Sequence, residues 1–164
     1  MKICFVDYDG VMTSVQEGSY FPEDVSKYKL CRQCAELLVM LCRECNAKVA
    51  VSSNWRKFDK DGFWLHGGSR YYNPLSAFID AIREVYICTL PSTRHVSKSA
   101  AVAKWISENK AYIDNYVVLD DDLNEGFQSA DIYGIKDHFV HVDRQFGLTD
   151  ADCKKAAKIL NSSF

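Results

Sequence analysis

Ile3-Cys4-Phe5-Val6-Asp7-Tyr8-Asp9-Gly10 is the stretch on which the reading of the whole chain turns. Four consecutive apolar residues suit a short strand buried on both faces and are too few for a core helix. The run stops abruptly at carboxylates, so its carboxyl end faces something polar. Two other runs stop in the same manner: Lys48-Val49-Ala50-Val51 at Ser52-Ser53-Asn54, and Tyr116-Val117-Val118-Leu119 at Asp120-Asp121-Asp122. Val85 to Leu90 and Phe139 to Val142 read as two further strands.

Helical patterns lie between and after these runs. One covers roughly residues 31–46 and another about 75–84. A third, 97–109, carries Val102, Trp105 and Ile106 on one face. Thr149 with Asp152 three residues on resembles a capping box that opens a last helix, with Cys153, Ala156, Ala157 and Leu160 along one side. Residues 11–30 read as a loop or flap, and 55–74, with Gly62, Gly67, Gly68 and Pro74, as irregular. Strands alternating with helices predict an α/β fold: a Rossmann-like three-layer sandwich around a mostly parallel five-stranded sheet. The 164 residues suit one such domain, 1–164, with a short cap-like insertion at about 55–74.

Composition narrows the function. Apolar residues make up 48 % of the chain, too many for a disordered one. Twenty basic residues against 22 acidic ones leave a net charge of −2, so a nucleic-acid partner would need a local basic patch. No apolar run approaches the roughly 20 residues of a membrane span, and Met1-Lys2 followed by a short apolar run and Asp7 does not fit a signal peptide. The expectation is a soluble, cytoplasmic protein without a membrane partner.

Seven cysteines include two Cys-x-x-Cys pairs, Cys31/Cys34 and Cys42/Cys45, the spacing of a zinc site. The segment that joins them has no Gly or Pro and is rich in helix formers. On a helix the outer two would stand about 21 Å apart, whereas zinc needs each thiolate about 2.3 Å away. Core positions on a buried helix face are the better reading. The odd count likewise argues against a disulfide framework.

In an open parallel α/β sheet, ligands bind beyond the carboxyl ends of the strands. The aspartates at 7, 9, 120 and 121 would then crowd one crevice and repel one another unless a cation sat among them. Oxygen donors without His or Cys favour a hard cation, and Mg²⁺ fits best. On a strand, Asp7 and Asp9, two apart, point to the same face, although the chain must begin to turn at Gly10. One could attack phosphorus while the other moves a proton, and a carboxylate nucleophile leads to an aspartyl-phosphate. Ser52 and Ser53 offer hydroxyl and N–H donors to phosphoryl oxygens. Lys98 adds positive charge at a helix N-terminus that already favours anions. Each piece alone has a plainer reading as a turn, a cap or a solvated side chain. Their order, each at a strand end or helix start, favours a common site. Between Trp55 and Tyr72, aromatics interleave with Arg56, Lys57, Lys60, His66 and Arg70. That pattern suits base stacking beside phosphate contacts, or an insertion folded over its own small core.

These motifs resemble those of the haloacid dehalogenase (HAD) superfamily of phosphatases: VDYDGV the first, AVSSN the second, Lys98 the place of the third, VVLDDD the fourth. SSNWR, LDDD and VDRQFGLT further resemble the small HAD domains associated with RNA-repair proteins. The resemblance implies a Mg²⁺-dependent phosphohydrolase acting on a phosphomonoester. Asp7 would be nucleophile and metal ligand; Asp9 would be acid, then base, with its backbone carbonyl at the metal. Ser52, or Ser53 in competition with it, would bind the phosphoryl group, and Lys98 would steady it. Asp121 and Asp120 would complete the metal site, with the choice of direct ligand open. The gaps between motifs are too short for a large cap, which leaves a relatively open site. The substrate would be a phosphorylated small molecule, a nucleotide or a nucleic-acid end. The remaining alternative is a non-catalytic phosphate-binding or regulatory module.

Overall fold

The computed structural model describes residues 1–18, 29–53, 63–66, 69–72, 75–91, 97–122 and 133–162. Its elements are β1 (Lys2–Val6), α1 (Arg32–Cys45), β2 (Ala47–Val51), β3 (Phe63–His66), β4 (Ser69–Tyr72), α2 (Leu75–Ala81), β5 (Tyr86–Thr89), α3 (Lys98–Asn109), β6 (Asn115–Asp120), β7 (Phe139–His141) and α4 (Asp150–Asn161). Five strands form one parallel sheet in the order β5-β2-β1-β6-β7, as the alternation of strands and helices predicts.

The near-continuous apolar runs have the expected cause: the sheet is covered on both faces. Cys4, Val6, Val49, Val51, Val117 and Leu119 turn to one side, against Leu38 and Leu41 of α1, Phe78 of α2, and Ala156 and Leu160 of α4. Ile3, Phe5, Ala50, Tyr116 and Val118 turn to the other, where Val102, Trp105 and Ile106 of α3 meet them. Phe5 packs edge-on against Trp105 at 5.5 Å between ring centroids. The order of strands reverses direction at β1: the chain steps outward to β2 and β5, then returns by α3 to β6 on the other side of β1. Such a reversal opens a crevice between two strand ends, here those of β1 and β6.

Cys31 is the N-cap of α1 rather than its first turn, its Sγ accepting from the Cys34 N–H at 3.2 Å. Asn46 ends the helix in the left-handed conformation, at φ 52°. All seven cysteines are free, and all but Cys88 are buried. A hydrogen bond to Cys42 and burial hold the Cys4 thiol well above its ordinary range, and burial pushes Cys153 up to about 12. Burial raises Cys34 and Cys45 of the two Cys-x-x-Cys pairs as well, and among the described residues no group of three or more thiols lies close enough to share a metal ion.

The sequence reading needs correction in the insertion. Within 55–74, residues 63–66 and 69–72 are not irregular but pair as an antiparallel hairpin, Phe63 opposite Tyr72 and Trp64 opposite Tyr71. Two aromatic-rich runs flanking Gly67-Gly68 are a hairpin signal, and the Gly and Pro content masked it. The remainder of that segment, including Trp55 to Lys60, lies outside the described residues, as do Asn54, His95 and residues 19–28 of the expected flap. The helix expected over 75–84 ends at Ala81.

The capping box at α4 forms in both directions: the Thr149 hydroxyl accepts from the Asp152 N–H at 3.3 Å, and Asp152 Oδ2 accepts from the Thr149 N–H at 3.2 Å. Thr149→Ala removes one half of this exchange and is expected to lower the unfolding free energy by about 1 kcal/mol. Urea titration will read it as a lower midpoint at unchanged slope.

A candidate active site at the carboxyl ends of the strands

Pairing of β1 with β6 sets Val6 opposite Leu119, so the next residues, Asp7 and Asp120, leave the sheet side by side. The Asp7 N–H continues the ladder onto the Leu119 carbonyl at 3.0 Å. On the other flank, the Ser52 N–H bonds the Val6 carbonyl at 2.9 Å, which places Ser52 and Ser53 at the same edge, both fully buried. From the far face, Ser97 caps α3 and its next residue, Lys98, enters the crevice.

Lys98 is 2 % exposed. Its Nζ donates to Asp7 Oδ2 at 2.7 Å and to Asp120 at 2.9 Å. Burial by itself would lower the pKa of this ammonium, but the two carboxylates outweigh it and hold the group above the ordinary lysine range. Asp120 feels the opposite balance. Burial and the neighbouring charge of Asp7 raise its carboxyl well above the usual value, against the pull of Lys98 and the Asp122 N–H. One ammonium thus serves two carboxylates.

Asp7, Asp120 and Asp121 each offer an oxygen within 4.8 Å of the others, and all three are buried. Among the described residues this is the one group of carboxylate, imidazole or thiol side chains that could hold a metal ion. Arg144 adds a second cation, its Nε 3.2 Å from Asp121 Oδ2. Two positive charges against three negative ones leave the cluster with an excess suited to a divalent cation.

Asp9 lies beyond the strand, because the turn expected at Gly10 begins earlier. β1 ends at Val6, and Tyr8 to Met12 form a turn closed by the Met12 N–H on the Tyr8 carbonyl at 2.8 Å. Asp9 stands half-buried in that turn, and its carboxylate is not one of the clustered three. Gly10 follows at φ +67°, where a Cβ would run into the Asp121 carboxylate. Glycine is required there twice over, for the conformation and for the close approach. A cavity of about 1290 Å³ between α1 and α2, lined by Arg32, Val39, Arg43 and Glu84 among others, contains none of these site residues.

The sequence reading missed Arg144 and His141. The Arg144 signal was VDRQFGLT, a stretch singled out for its resemblance and not for its chemistry. Both side chains reach the Asp121 backbone carbonyl, His141 through Nε2 at 3.1 Å and Arg144 through Nη2 at 3.4 Å.

A family model described as the HAD domain in Swiss Army Knife RNA repair proteins matches residues 3–153. The chain belongs to this family. No curated protein and no solved structure matches it. The matched span takes in Asp7, Ser52, Lys98, Asp120 and Asp121, so membership supports a phosphatase-like function for the crevice. No helix among the described residues is long and apolar enough to cross a membrane.

Replacing Lys98 by methionine leaves two buried carboxylates without their shared counter-ion. Removing one partner of a buried pair costs about 3–5 kcal/mol. Lys98→Met is expected to lose that much in chelator-treated protein, measured by urea unfolding; a loss below about 1 kcal/mol would show that the cluster is not held together by this ammonium.

Proposed function

We propose that this HAD domain is a Mg²⁺-dependent phosphohydrolase that cleaves phosphomonoesters through an aspartyl-phosphate on Asp7. The observation that carries the reading is the buried trio of Asp7, Asp120 and Asp121, the first two bridged by Lys98 and the third held by Arg144. Three buried carboxylates against the cations of Lys98 and Arg144 leave negative charge that pairing within the protein does not neutralise, and a divalent cation would.

The donor set fits the ion. All three groups are oxygen donors, which suits a hard cation that keeps several waters and takes one or two carboxylates. Asp120 has both oxygens within 2.9 Å of Lys98 Nζ, so Asp7 and Asp121 are the better direct ligands. When bound, Mg²⁺ would supply charge neutralisation at the phosphoryl oxygens. Everything else falls to the chain. An Asp7 oxygen forms a bond to phosphorus as the bond to the leaving oxygen breaks, and Asp9 gives that oxygen its proton. Asp9, now a carboxylate, takes a proton from the attacking water; the acyl phosphate splits, inorganic phosphate leaves, and Asp7 is restored. Lys98 orients Asp7 and offsets charge on the transferring group. Ser52 and Ser53, at the end of β2, hold its remaining oxygens.

The family's description as a domain of RNA repair proteins favours a nucleotide or a nucleic-acid end as the phosphomonoester. Asp7→Asn keeps the shape of the side chain and removes the nucleophile. The expected result is loss of Mg²⁺-dependent phosphate release from an aryl phosphate and from 3′- and 5′-phosphorylated oligonucleotides, with the circular dichroism spectrum unchanged. Turnover that survives in this variant eliminates Asp7 as nucleophile. Wild-type protein that releases no phosphate from any of them, yet binds phosphate, is a binding module.

A further inference from the structure

We propose that Arg144 is the positioning residue for Asp121, holding one carboxylate oxygen so that the other is presented to the metal ion. The inference rests on the metal reading above and adds to it a residue outside the superfamily's four motifs.

The geometry is a two-point grip on a single residue. Arg144 Nε lies 3.2 Å from Asp121 Oδ2, and Nη2 donates to the Asp121 backbone carbonyl at 3.4 Å. His141 Nε2 reaches the same carbonyl at 3.1 Å, which requires the proton on that nitrogen because a carbonyl only accepts. Asp121 is 4 % exposed, so its carboxylate is held inside the crevice. Gly10 leaves open the space that the Asp121 carboxylate occupies. The carboxylate thus has a wall, a clamp and a fixed backbone.

The clamp is itself rigid. Arg144 sits in a turn that Asp143 closes by accepting from the Gln145 N–H at 2.9 Å through Oδ1 and from the Phe146 and Gly147 N–H groups at 3.0 Å through its carbonyl. That turn is fastened to the segment after Asp9 at three points: the Val15 N–H on the Arg144 carbonyl, the Gln16 N–H on the Gln145 carbonyl, and the Leu148 N–H on the Val11 carbonyl. Gly147, at φ +71°, lies so close to the Val11 and Thr13 carbonyls and to Cys34 Sγ that a Cβ there would be crowded. Groups that orient a metal ligand from behind set metal affinity by about 10–100-fold.

A guanidinium beside a cation site also repels the cation, and this opposing effect makes the test decisive in sign. If Arg144 acted by charge alone, removing it would tighten Mg²⁺ binding and a lysine would substitute for it. If it acts by geometry, Arg144→Gln weakens binding despite the lost repulsion. Arg144→Lys, which keeps the charge but lacks the planar fork, weakens it too. Isothermal titration of each folded variant with Mg²⁺, and Mn²⁺ titration followed by electron paramagnetic resonance, are the readouts. We expect both variants to bind about tenfold or more weakly, with kcat at saturating Mg²⁺ falling far less than the apparent metal affinity. Unchanged or tighter binding in either variant overturns the role of Arg144 while leaving the metal site standing. Wild-type protein that binds neither ion overturns the metal reading, and the role of Arg144 with it.

Discussion

The ammonium of Lys98 between Asp7 and Asp120 is the contact on which the rest depends. An unpaired charge cannot be buried at acceptable cost, and neither can two like charges a few ångströms apart. The three groups arrive from the end of β1, from the start of α3 and from the end of β6, so their mutual neutralisation ties the helix on one face to the two central strands. The same arrangement limits what can be built around it. α3 must begin above the β1/β6 gap, and Ser97 provides that start by accepting the Ala100 N–H. Chemistry and architecture converge there because the strand order reverses at β1, leaving a gap that neighbouring connections do not fill.

Around this centre the chain spends conformational freedom where the carboxylates need support. Gly10 and Gly147 both take positive φ, and both lie against backbone or side chains that a Cβ would displace. Their turns, one after Asp9 and one around Arg144, are laced together by backbone hydrogen bonds. Behind them, Cys31 and Cys34 fill a helix start with small groups, Cys31 by capping and Cys34 by packing under Gly147. The cysteine spacing that suggests a metal in the sequence is packing, and the side chains that could hold one are the aspartates.

Membership of the HAD family agrees with a scaffold that gathers carboxylates at the strand ends. Between β2 and α2 the described residues hold the β3–β4 hairpin.

Much of this was legible beforehand, because local rules decided it. Apolar runs covered on both faces read as strands, and Ser97, Thr149 and Asp152 marked helix starts by the hydrogen bonds their side chains can make. Asp7, Ser52, Lys98, Asp120 and Asp121 could be named because each ends a strand or opens a helix, and a parallel sheet sends such ends to one edge. The hairpin is obscured by its glycines, and the turn expected at Gly10 begins earlier, directly after Val6, so that Asp9 lies in it. Tertiary structure alone decided that Lys98 is shared by two aspartates and that Asp120 and Asp121, adjacent in sequence, face different cations. It alone decided, too, that Arg144 closes on a residue 23 positions away. Composition and periodicity describe what one segment prefers; which oxygen faces which nitrogen depends on packing between segments, and no local pattern encodes it.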